Sequence, residues 1–157
     1  MKNVKAYING AAEDTEKQWG IILTETSVTA LMTLPPLKSY ITNESALSHG
    51  KQVLTDSGNL PKIDARDLQL VFGLHAKNLA QFLTRYRSFC ETMKKGAFSL
   101  TLHVWDGETF YKETFNLLYI SCSQYSEYNG KLGKFTLKLN EPNPANRAVE
   151  HSSDIVL

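Results

Sequence analysis

Four histidines, two cysteines and one close pair of carboxylates are the residues of this chain best placed to do chemistry. His49, His75, His103 and His151 are widely separated. None shares the i, i+4 or short-loop spacing by which one element presents zinc ligands, and there is no Cys-x-x-Cys. His75 and His103 fall on the polar phase of strand-like alternations and read as exposed or edge residues. Cys90 lies in a helical apolar stripe and Cys122 in a later strand region. Both read as reduced structural thiols, and two cysteines make no disulfide framework. A nucleophilic role for either needs a histidine brought close in space. Asp64 and Asp67 flank Arg66 just before a strand, where a turn or ion-pair role fits better than an acid–base couple. The chain has no Gly-x-Gly-x-x-Gly, no Walker loop and no Gly-x-Ser-x-Gly, and His49-Gly50-Lys51 is too short to cradle a phosphate. These residues point to no reaction, no metal and no cofactor, so the expectation is a protein that is not an enzyme.

The remaining candidates are contact residues. Lys77, Arg85, Arg87, Lys94 and Lys95 share a helical stretch with Glu91 as the one carboxylate, a basic face suited to solvent or to an acidic partner. Tyr125 and Tyr128 flank Glu127 in a turn-like region and could form an aromatic patch. His49 and Lys51 sit in a long polar loop. His49, Lys51, Arg85, Arg87, Tyr125 and Tyr128 are therefore the expected contact set. The formal net charge of the 157 residues is +1, too small for tight nucleic-acid binding. No apolar run reaches membrane-spanning length, and the N-terminus lacks the apolar core of a Sec signal peptide.

The element that must position these residues is a helix over 77–95. Leu79, Phe82, Leu83, Tyr86, Phe89, Cys90 and Met93 recur at steps of three and one, the stripe of an amphipathic helix on a core. Asn78 reads as its N-cap without a reciprocal partner, and Gly96 suits the left-handed position past its end. Around it, 4–8 reads as a strand ending at Asn9-Gly10, and 11–18 as a loop or one helical turn. Residues 19–23 read as a further strand or its approach, 24–29 as extended, and Pro35-Pro36 as a break. Leu68, Leu70, Phe72 and Leu74 alternate with polar or small neighbours, as do Phe98, Leu100, Leu102 and Val104, and later Phe135, Leu137 and Leu139. Asp106-Gly107 and Asn129-Gly130 read as two-residue hairpin turns, with a strand over 109–120 between them. Tight turns force antiparallel neighbours. The expected fold is α+β: an antiparallel β-sandwich or curled sheet with one main amphipathic helix packed on it. Residues 1–145 make one domain, 37–58 a long loop or arm, and 146–157 a tail without periodicity, mobile or docked on a partner.

One block carries a resemblance. Leu60-Pro61-Lys62-Ile63-Asp64-Ala65-Arg66-Asp67-Leu68-Gln69-Leu70-Val71-Phe72 precedes the helix with Phe82-Leu83-Thr84-Arg85-Tyr86-Arg87-Ser88-Phe89. Lys95-Gly96-Ala97-Phe98-Ser99-Leu100 and an aromatic strand around Phe110-Tyr111-Lys112 follow. Pro35-Pro36-Leu37-Lys38 before a long loop, and the closing Leu137-Lys138-Leu139-Asn140-Glu141-Pro142-Asn143-Pro144, complete the order. Over roughly 30–145 this resembles structural proteins of long-tailed bacteriophages, the distal tail protein and its tail-tube relatives. The resemblance implies a ring-forming subunit, commonly a hexamer, around a DNA channel. It also implies contacts to other tail proteins, a place in the virion tail after assembly in the host cytoplasm, and no catalytic site. The chain is short for a full distal tail protein, so tube, hub and terminator stay open. The other reading is a monomeric α+β protein-binding module using the Tyr125–Tyr128 patch and the basic helix face.

Overall fold

Period-two alternation builds the sheet and one stripe of period 3.6 builds its cover. In the computed structural model, residues 3–152 are described except 41, 45, 48 and 54–60. In chain order the elements are β1 (Asn3–Ile8), α1 (Thr15–Trp19), β2 (Ile21–Leu23), α2 (Glu25–Met32), β3 (Thr42–Glu44), β4 (Lys51–Val53), β5 (Arg66–His75), α3 (Leu79–Met93), β6 (Ala97–Trp105), β7 (Phe110–Tyr128), β8 (Leu132–Glu141) and β9 (Ala148–His151). Seven strands form one antiparallel sheet in the order β1-β6-β7-β8-β5-β2, with β9 added on β7. The sheet is open and curled. Its end strands β1 and β2 approach one another without pairing, and α1 packs against both. This is the expected α+β class.

The inward residues of the alternating strands meet α3 inside the curl. Leu70, Phe72, Leu74, Leu100, Leu102, Phe115, Phe135 and Leu137 are buried with Phe82, Phe89 and Met93 of the helix. Four of the rings interlock: Phe72, Phe89 and Phe135 lie with centroids 5.4–5.7 Å apart, and Trp19 meets Phe89 edge-on at 5.4 Å. Gly133 gives Phe82 its room, because a β-carbon there would strike the ring. The N-terminus of α3 is closed from both sides. The Asn78 side chain accepts from Gln81 N–H at 2.9 Å, and Gln81 Oε1 accepts from Lys77 N–H at 2.7 Å. Asn78 therefore has the partner that it was expected to lack: Gln81, three residues on, returns a bond to the chain just before the cap.

Several expectations change. Residues 24–29 are not extended but open α2. Thr24 and Ser27 hydroxyls donate to the Val71 carbonyl, Val71 N–H donates to Ser27 Oγ, and Leu31 is buried, so the helix is pinned to the side of β5. The 37–58 loop carries a small hairpin: β3 and β4 pair with each other, apart from the main sheet. Its stem is zipped by Lys38 N–H to Lys62 O and Asp64 N–H to Pro36 O. Within the expected arm, 41, 45, 48 and 54–58 lie outside the described residues. The Asp106-Gly107 turn is a four-residue loop closed by the Asp106 carboxylate on the N–H groups of Glu108 and Thr109. Asn129-Gly130 does take positive φ at both positions, 54° and 63°, but the loop is three residues long, since Tyr128 pairs with Leu132. β7 runs nineteen residues, so Tyr125 and Tyr128 sit on a strand and not in a turn. Part of the expected tail is strand as well: Ala148–His151 pairs with this chain's own β7. The end of the expected tail, 153–157, lies outside the described residues.

Candidate assembly surface

The surface is set by the length mismatch between β6 and β7. At Leu118, β7 still has Ala97 of β6 on one edge and Asn140 of β8 on the other. Beyond it the chain of β6 ends: Tyr119 N–H bonds to Gly96 O at 2.8 Å, and past that point only β8 accompanies β7. From 120 to 128 the edge facing away from β8 has no strand partner among the described residues. Two register shifts, at 119–121 and 122–124, bend the strand along this edge. An open edge is a row of unspent backbone donors and acceptors, the template on which another strand pairs.

Helix α3 runs beside that edge and leaves apolar residues uncovered. At about 100° per residue, Leu79, Leu83, Tyr86 and Cys90 fall on one flank of the buried Phe82–Phe89–Met93 line, and Arg85 and Ser88 on the other. The contacts agree. Tyr86 packs on Tyr125 at 4.7 Å, while Ser88 accepts from Trp19 Nε1 and Arg85 donates to His75 O. On the β7 flank, Leu79 is 49% exposed and Leu83 43%, beside Tyr125 at 44% and Tyr128 at 70%. The stripe is thus wider than the sheet beneath it, and the overhang is apolar. Burial raises the Tyr86 and Tyr125 hydroxyl pKa values, with Cys90 adding to both, so these groups stay neutral hydrogen-bonding partners.

Of the expected contact residues, the structure gathers Arg87, Tyr125 and Tyr128 here. Arg85 lies on the opposite flank and is tied to the end of β5. His49 and Lys51 are exposed on the β3–β4 arm. Cys90 and Cys122 line a cavity of about 270 Å³ with Tyr86, Arg87 and Tyr119, and both thiols are free. Among the described residues no group of three or more His, Cys, Asp or Glu could hold a metal ion. No described helix is long and apolar enough to cross a membrane.

A buried charge network ties β5, β7, β8 and the segment before β9 together at the other end of β8. Glu141 is fully buried and takes Arg66 Nε at 2.7 Å and Arg147 at 2.8 Å on each oxygen. Arg147 also bonds Glu113 at 2.9 Å and lies 4.7 Å over Phe115, and Tyr111 donates to Glu113 at 2.6 Å. Arg66 turns its other nitrogens on the Ala30, Leu31 and Thr33 carbonyls, capping the end of α2 where a cation is favoured. Asp64 accepts from Ala65 N–H ahead of the strand, and Asp67, within β5, accepts from the Asn140 side chain opposite it on β8. The sequence held a signal for this network. Arg66, Glu113 and Glu141 continue the inward phase of Leu68, Phe115 and Leu139, where a charge must find a partner.

No family model matches this chain, and no curated protein matches it in sequence. The fold does match a solved structure. Over 90% of its length the chain superimposes on the Dit protein (gp 19.1) of SPP1 with a TM-score of 0.57 and 12% identity. That protein was described as a paradigm of the hub adsorption apparatus in phages infecting Gram-positive bacteria. The chain covers 51% of it, so it spans about half the length of that hub protein. At this identity the likeness establishes a shared fold.

Proposed function

We propose that this chain is a structural subunit of a bacteriophage tail that closes into a ring, a hexamer in the simplest case, around the DNA channel. The carrying observation is the open β7 edge at 120–128 beside the apolar overhang of Leu79, Leu83, Tyr125 and Tyr128. A strand edge and an apolar strip side by side can be satisfied together by one neighbour. A heterologous contact of that kind closes into a ring when its rotation divides the circle. The likeness to a phage hub protein supports the same reading, as does the arm at 37–58 with His49 and Lys51 on its surface. The near-neutral charge suits a conduit through which DNA slides without being held. Other tail proteins would cover the ring's two faces. The protein would then reside in the virion tail after assembly in the host cytoplasm.

The test is a pair of variants. Leu83→Glu with Tyr125→Lys places charge on the overhang at two exposed positions, and should stay monomeric with an unchanged circular dichroism spectrum, its melting temperature checked because the Tyr125 ring packs on Tyr86 and Phe82. Deletion of 43–56 should likewise block assembly of a folded monomer. Rings that survive both changes refute the proposed contact. A single stoichiometric partner in a pull-down, with no self-association, favours the monomeric binding module.

A further inference from the structure

The opposite end of the sheet carries a second surface that the ring reading does not use. In register across three strands, Lys5 of β1 faces His103 of β6, and His103 faces Lys112 of β7. Basic groups directly opposite on one sheet face repel each other. Lys5 is partly offset by Asp14 at 3.3 Å. Lys112 has no carboxylate within ion-pair distance among the described residues, although Glu150 is next in its row and Glu108 lies on the rim. Burial and the charges of Lys112 and Lys5 hold the His103 pKa below its ordinary value, and its buried Nδ1 has no hydrogen-bond partner.

The next row on the same face is aromatic. Trp105 lies opposite Phe110, with the His103 ring 4.7 Å from Trp105 and 6.1 Å from Phe110. Lys5 Nζ stands 5.6 Å over Trp105 and Lys112 Nζ 5.9 Å over Phe110. His103, Trp105, Phe110 and Lys112, together with the 107–109 loop, line a shallow cavity of about 380 Å³. Cations set beside partly exposed rings are the two halves of a site for an anion joined to a ring. The cations meet the charge and the aromatic faces stack the ring.

The geometry points to a binding site for a phosphorylated ring compound, a sugar phosphate or nucleotide, with the phosphate between His103 and Lys112 and the ring against Trp105 and Phe110. Trp105 is a built-in reporter, since the only other tryptophan, Trp19, is buried against Phe89. The experiment titrates the whole chain with ribose 5-phosphate, AMP, ribose, adenosine and inorganic phosphate, following Trp105 emission. The two phosphorylated ring compounds should quench it, and the better of them identifies sugar or base as the stacked ring. Lys112→Met, its melting temperature checked, should bind about tenfold more weakly, as loss of one charge-assisted contact implies. His103→Gln should weaken binding in the same direction, and Trp105→Phe should remove the signal. Adenosine binding as well as AMP, phosphate alone binding as well as both, or no quenching by any probe overturns the proposal. So does unchanged affinity in Lys112→Met. Emission that shifts with protein concentration alone would mean a second copy covers this face, and also counts against it.

Discussion

Glu141→Gln is the sharpest perturbation of the buried network. The wild-type carboxylate receives three charge-assisted bonds, from Arg66 Nε at 2.7 Å and from two Arg147 nitrogens at 2.8 Å. Glutamine keeps one acceptor oxygen but turns the other into an amide donor aimed at a guanidinium donor. It also leaves two arginines sharing a site without their common counter-charge. Removing one partner of a buried ion pair costs about 3–5 kcal/mol. Arg147 retains Glu113, and Arg66 retains the α2 carbonyls, so the lower end applies, about 3 kcal/mol. At about 2–4 °C per kcal/mol for a domain of this size, the melting temperature should fall by roughly 6–12 °C. Urea unfolding followed by circular dichroism measures the loss directly, provided the slope matches wild type. Glu91→Gln, which removes only the exposed pair with Lys94, is the control and should leave the midpoint in place. A Glu141→Gln loss below about 1 kcal/mol would refute the reasoning, because the network would then hold no more than a surface pair does.

Phe82→Ala should cost about 3–5 kcal/mol in the same assay, since the ring is wholly buried against Gly133; a melt within a degree or two of wild type would contradict its place in the core. Arg66→Met should destabilise the protein and weaken helicity as well, because the α2 carbonyls lose their cap; an unchanged far-ultraviolet spectrum would refute the capping role. The His103 ring should titrate by NMR below the ordinary histidine value of about 6.5, as its buried, lysine-flanked position requires. The sign follows: a depressed folded pKa means the unfolded chain binds the proton more readily, so stability holds above that ordinary value and is lost as pH falls through it. A His103 midpoint at or above the ordinary value would contradict the placement.

Much of the architecture was legible because it rests on periodicity. The inward Leu68–Leu74 and Phe98–Leu102 alternations and the Phe82–Phe89–Met93 line came out as the sequence reads. What was not legible depends on partners distant in the chain. Thr24 to Thr29 looks extended by composition, yet the Thr24 and Ser27 hydroxyls are satisfied on Val71 and a helix results. The length of β7 is set by β8 lying alongside, and β9 by an edge that β8 vacates, neither of which leaves a local pattern. Leu79 and Leu83 carry the stripe's spacing but overhang the sheet, so spacing alone placed them in the core. Of the candidate surface, Arg87, Tyr125 and Tyr128 could be named from residue type. Their meeting at an open edge could not.

The most direct test of the assembly account is mass in solution, by light scattering on a sizing column over a wide concentration range. The account expects a closed multiple of the 17.7 kDa chain, a hexamer in the simplest case, reduced to monomer by Leu83→Glu with Tyr125→Lys. A single-chain mass at every concentration would contradict it.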